Sequence, residues 1–187
     1  MEPGWRLFKA KSIKSEVNAW YDWLAQTIKR GKIGINYKQN TASDIDVWRT
    51  FFEKKGSNLE HHELVDILWG AERPPRPSNP VLPCDLKYSG ENTLSKYNRL
   101  ADELNGDPLL ITTLEDIAWL LSCRGSDMKY IPAFYSYALF YPATKTVSLY
   151  INPVQVTKIS YFASTNVTVV PISEIDSDLA SMAKNTR

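Results

Sequence analysis

Apolar side chains return at helical spacing early in the chain: Val17, Trp20, Tyr21, Leu24 and Ile28 stand at i, i+3, i+4, i+7 and i+11, on one face. Lys29 and Arg30 followed by Gly31 give that helix its stop. A β-like stretch over Trp5-Arg6-Leu7-Phe8-Lys9 precedes it, with Ser15 at the helix entrance, and a short strand over Lys32 to Tyr37 follows. A second helix runs from an N-cap at Ser43 through Ile45, Trp48 and Phe52 to Gly56. Leu59 to Glu63 predicts another strand, and Leu64 to Trp69 an apolar turn of helix.

The pattern breaks at Glu72. The run Glu72-Arg73-Pro74-Pro75-Arg76-Pro77-Ser78-Asn79-Pro80, with Pro83 beyond, can neither continue a helix nor donate to a central sheet. Because prolines favour extended geometry it reads as a semi-rigid spacer over 73–83 between a first unit, 1–72, and a second, 84–187. Beyond it the alternation resumes. Leu94, Tyr97, Ala101 and Leu104 share a helical face, Leu109 to Thr112 forms a buried-type strand, and Leu114 to Ser122 a further helix. Thr113 and Asp116 stand in capping-box positions at its start, and Trp119 is expected in the core with Ile117, Ala118 and Leu121. Phe134 to Tyr141 and Thr146 to Ile151, joined through Pro142-Ala143-Thr144-Lys145, predict a hairpin. Asn152-Pro153 opens a helix carrying Val156, Ile159 and Ala163, Val167 to Val170 returns as strand, and Ile172, Ile175, Leu179 and Met182 form a last amphipathic helix. Both units are therefore α/β, with mixed sheets because the hairpin forces an antiparallel pair.

Composition narrows the function. The chain has 187 residues, 43% of them hydrophobic, enough for a packed core. Its 22 basic and 21 acidic side chains leave a net charge of +1, without the cationic footprint that nucleic acid demands. No apolar run approaches the roughly 20 residues of a membrane-spanning helix, and the Met1-Glu2-Pro3-Gly4-Trp5 start does not resemble a secretory signal. Cys84 and Cys123 have no metal-type spacing and suit a reducing compartment. The only histidines are the adjacent His61 and His62, and no HExxH, GxSxG, Walker loop or GxGxxG occurs.

Three segments invite a site. Glu60-His61-His62-Glu63 contains metal-ligand chemistry, but on a strand only two of the four side chains share a face, so a surface strand is the better reading. The aromatic run Tyr130, Phe134, Tyr135, Tyr137, Phe140 and Tyr141 alternates across a strand, leaving two options: one face meets a partner or ligand, or helices bury both. In Cys123-Arg124-Gly125-Ser126-Asp127, either Gly125 stops the helix while Arg124 pairs with Asp127, or Arg124 offers its donor fork to a carboxylate.

The run from Leu114 to Asp127, Leu-Glu-Asp-Ile-Ala-Trp-Leu-Leu-Ser-Cys-Arg-Gly-Ser-Asp, continued by Tyr130-Ile131-Pro132-Ala133-Phe134-Tyr135-Ser136-Tyr137-Ala138, resembles the second domain of the eukaryotic-type, three-domain Xaa-Pro aminopeptidases (aminopeptidase P). Upstream, Leu64 to Trp69 followed by Glu72-Arg73-Pro74 resembles the junction between that family's first and second domains. Ile131 and Cys123 depart from it, standing where Asn and Leu are usual. The resemblance implies two creatinase-N-terminal-like, ribonuclease H-like units, the first and possibly the second incomplete, from a cytoplasmic, dimeric enzyme. Such enzymes release an N-terminal residue that precedes proline, using two manganese ions held by carboxylates and a histidine in a further catalytic domain. Carried over residue by residue, it yields no catalytic residue and no metal ligand here. The implied role is non-catalytic: shaping the substrate entrance and supporting dimer contacts, with Arg124, Tyr130, Phe134 and Tyr137 as contact residues. The competing expectation is a pseudo-peptidase module that binds protein segments without chemistry. Sheets lacking strands would also expose unpaired edges, so self-association is expected.

Overall fold

The computed structural model describes residues 20–185. The stretch Trp5 to Lys9, Ser15 and Val17 lie outside the described residues. The chain divides into two compact units, residues 1–74 and 75–187.

In the first unit, α1 (Trp20–Thr27), β1 (Gly31–Ile35), α2 (Ala42–Lys54), β2 (Ser57–His61) and α3 (Leu64–Trp69) follow one another. The N-cap of α2 is Thr41 and not Ser43: the Thr41 hydroxyl accepts the Asp44 N–H at 3.1 Å. Gly56, at φ 81°, turns the chain from α2 into β2 as the sequence indicates. The strands pair in parallel with Ile33 opposite Leu59. Ala25 of α1 and Ile45 and Phe52 of α2 complete the small core around them. Trp48 packs at its margin, whereas Trp20, on the apolar face of α1, is 48% exposed and touches Trp48 edge-on at 5.0 Å between centroids.

The second unit contains β3 (Leu82–Pro83), α4 (Leu86–Ser89), α5 (Thr93–Glu103), β4 (Leu109–Ile111), α6 (Leu114–Leu120), β5 (Cys123–Arg124), β6 (Ser136–Tyr141), β7 (Thr146–Ile151), α7 (Ile159–Ser164), β8 (Val167–Pro171) and α8 (Ile175–Asn185). The main sheet is mixed, in the order β4-β6-β7-β8, with β7 and β8 parallel and the other pairs antiparallel. Its faces are told apart by the pleat. Ala138 and Phe140, opposite Leu149 and Val147, face a core completed by Tyr97 of α5, Ile117 and Leu120 of α6 and Phe162 of α7. Leu139 and Tyr150 face Ile175, Leu179 and Met182 of α8, and the Tyr150 hydroxyl donates to Asp178 at 2.8 Å. Helices thus pack on both faces of the hairpin, while Tyr137 remains 36% exposed.

Three expectations change here. Trp119 is 46% exposed, because α6 turns Ile117, Leu120 and Leu121 inward and a residue two positions after Ile117 lies roughly 200° round the helix. Thr113 makes no side-chain cap bond. The proline-rich stretch is a spacer only in part: Val81 is fully buried, its N–H donates to Gln155 O at 2.8 Å, and β3 pairs with β5. From Pro75 onward this segment belongs to the second unit.

Candidate functional site

The Arg-Gly-Ser-Asp turn has a base and a tip. At the base, Asp127 is buried and pairs with no cation among the described residues. Its Oδ1 accepts the Asn79 N–H at 2.9 Å, and its Oδ2 accepts the Tyr135 N–H at 3.0 Å and Gln155 Nε2 at 2.8 Å. Gln155 Nε2 also donates to Asn79 O at 2.9 Å. A buried carboxylate is tolerable only when hydrogen-bonded in this way, and here it ties the incoming segment, the turn and the start of β6 together. The expected Arg124–Asp127 pair does not form; Arg124 Nη1 donates to Cys123 O at 2.8 Å. Nor is Gly125 a helix stop. A Cβ there would lie 2.7 Å from Phe134 Cβ and 2.8 Å from Ala133 O, so the glycine is required for close approach. The left-handed residue ending α6 is Ser122, at φ 47°.

The sequence-derived contact residues separate accordingly. Phe134 is fully buried beneath Gly125 and is a core residue, a correction to its expected place at an entrance. Arg124 is half-buried, Tyr137 is 36% exposed, and Tyr130 is 90% exposed. Beside the base, Tyr135 and Gln155 line a cavity of about 290 Å³ together with Arg76, Pro77, Pro153 and Pro171.

Lys96 is a functional-type residue that helical periodicity does not single out. It is 1% exposed, and its ammonium donates to the Trp119 carbonyl at 2.5 Å and the Ser122 hydroxyl at 2.9 Å. The cation thus satisfies the C-terminal end of α6, where carbonyls lack intrahelical partners. Burial holds its pKa below the usual lysine value. The same core pushes the Cys123 thiol up to about 12, leaving it a buried apolar group and not a nucleophile.

In the first unit, Glu60 receives Lys32 at 2.9 Å and lies 3.4 Å from His62, which together hold its carboxyl below the usual range. His61 Nδ1 accepts the Tyr37 N–H at 3.1 Å. Among the described residues no three His, Cys, Asp or Glu side chains are placed to hold a metal ion, so a dinuclear centre does not fit these residues. No described helix is long and apolar enough to cross a membrane.

A mixed sheet with helices on both faces, approached by a proline-rich strap and carrying a braced Arg-Gly-Ser-Asp turn, defines the second unit as an α/β domain. Residues 72–187 match the Creatinase/Prolidase N-terminal domain, and the chain belongs to that family. It is similar to the probable Xaa-Pro aminopeptidase P of Coprinopsis cinerea, 37% identical over 161 residues, covering 83% of this chain and 25% of that protein. The probable Xaa-Pro aminopeptidase P of Tuber melanosporum is 31% identical over 100% of this chain and 31% of its own length. The crystal structure of X-prolyl aminopeptidase from Caenorhabditis elegans, a cytosolic enzyme with a di-nuclear active site, superposes with a TM-score of 0.82 at 27% identity, over 96% of this chain and 30% of that one. The chain thus spans between a quarter and a third of the length of these relatives.

Proposed function

We propose that this chain is the non-catalytic N-terminal portion of a cytosolic, dimeric, metal-dependent Xaa-Pro aminopeptidase, an enzyme that releases an N-terminal residue preceding proline. The observation that carries the reading is likeness along nearly the whole chain to one part of much longer aminopeptidases, in sequence and in fold. On this reading residues 1–72 are part of a first creatinase-N-terminal-like domain, 84–187 a second, and the manganese ions belong to the catalytic domain. The chain's work is exclusion and positioning: walls around a metal site admit only a short free N-terminus. Arg124, Tyr130 and Tyr137 are the side chains proposed to stand at the substrate entrance or at a partner contact; the Arg124 donor fork suits a carboxylate.

The test replaces the matching segment of the Coprinopsis cinerea relative with this chain and measures cleavage of an Xaa-Pro peptide. The chimaera is expected to cleave with added manganese, and the 187-residue chain alone is expected not to. Proline-specific cleavage by the chain alone, or a folded chimaera that cleaves nothing, overturns the reading. The second outcome would favour a binding module.

A further inference from the structure

The loop from Ser126 to Pro132 closes on itself. Gly125 N–H donates to Pro132 O at 3.1 Å, Asp127 N–H to Ala133 O at 3.2 Å and Ile131 N–H to Met128 O at 3.4 Å. Its base is pinned by the Asp127 carboxylate. On this braced support Tyr130 adopts φ 69°, the left-handed region that favours glycine and asparagine and that a bulky side chain enters at a cost. Nothing in the unit offsets that cost by burial. The ring is 90% exposed, its hydroxyl makes no hydrogen bond among the described residues, and its one cationic neighbour is Lys129, with Nζ 5.0 Å from the ring centre. A residue that strains its own backbone and packs on nothing does not serve the folding of its own unit. Strain of this kind persists where the surroundings impose it and the side chain is used elsewhere.

We propose that Tyr130 is a preorganised anchor that inserts into a pocket on the catalytic portion of the intact protein. The proposal rests on the functional reading above. The occupant is argued from length: two thirds or more of each relative lies outside the matched segment. A rigid aromatic with few torsions also loses little entropy for the area it buries in a protein pocket. A near-neutral chain with one lysine beside the ring does not fit a nucleic-acid partner.

The test is a reversal of sign. Tyr130→Gly and Tyr130→Asn both relieve the left-handed strain, so each should leave unchanged or raise the thermal midpoint of the 187-residue chain. In the Coprinopsis chimaera the same substitutions should lower the midpoint and reduce kcat/KM by about tenfold. A midpoint that falls in both proteins makes Tyr130 a structural residue of its own unit, and one unmoved in the chimaera means the ring docks on nothing there. Self-association of the chain that disappears with Tyr130→Gly would make a second copy the partner. Each of these three overturns the proposal. If the unsubstituted chimaera does not cleave, the functional reading fails by itself, and the opposed shifts in midpoint still decide the anchor.

Discussion

Phe134 and Tyr130 are aromatic residues four positions apart in one turn, and they have opposite physical roles. Phe134 is fully buried and closes against a glycine that leaves no room for a Cβ; Tyr130 stands on a left-handed backbone with most of its ring in water. The base of the turn is over-determined by packing and by the Asp127 bonds. The tip is held in place by the base and returns nothing to it. Similar residues at similar spacing therefore separate into stability and recognition according to what surrounds them.

The strongest way to break this comparison is at the base. Phe134→Ala should cost about 3–5 kcal/mol in urea unfolding of the chain, the range for a fully buried aromatic; a loss of surface-residue size would mean that the base is not core. Gly125→Ala should follow at about 1–3 kcal/mol, because the added methyl meets the Ala133 carbonyl and Phe134 and neither can retreat cheaply. A neutral result in the same assay would show that the turn is softer than drawn.

Two further substitutions sharpen the contrast. Trp119, half-exposed with Lys96 Nζ 4.9 Å from its ring, should behave like the tip: Trp119→Ala is expected to cost about 1 kcal/mol or less, measured by the same unfolding. Tyr97→Phe removes a fully buried hydroxyl with no hydrogen-bond partner among the described residues and should change stability at neutral pH by less than about 1 kcal/mol. Its signature lies in alkali. Burial raises the folded pKa of Tyr97 above its ordinary 10.0, so an unfolded chain gives up that proton first and stability falls as pH climbs past that value. Cys123 acts in the same direction, from 9.0 toward about 12. Unfolding midpoints compared at neutral pH and at about pH 11 should show a shallower decline for Tyr97→Phe than for the unsubstituted chain.

Much of the second unit was legible because its signals are local. The β6–β7 hairpin follows from two apolar runs around a four-residue turn, and α8 from Ile175, Leu179 and Met182 at helical spacing. The side on which a helix is buried is less local. Trp119 counts as apolar in any pattern, yet α6 offers its inward face to Ile117 and Leu120, and neighbours decided which face that was. Lys96 was illegible for the same reason: a lysine reads as solvated until two polar oxygens, the Trp119 carbonyl and the Ser122 hydroxyl, meet it from 23 and 26 residues away.

The sequence by itself determined the α/β alternation, the proline-rich strap and, through the Arg-Gly-Ser-Asp run, the family resemblance. These depend on periodicity and on residue types at fixed spacing, which a linear chain already contains. Only the tertiary structure decided that Gly125 serves close packing and not helix termination, that Asp127 answers to Asn79 and Gln155 and not Arg124, and that Phe134 is core while Tyr130 is presented to solvent. The physical reason is that burial and hydrogen-bond satisfaction belong to a position in space, where segments 48 and 28 residues from Asp127 supply the partners that its immediate neighbours do not.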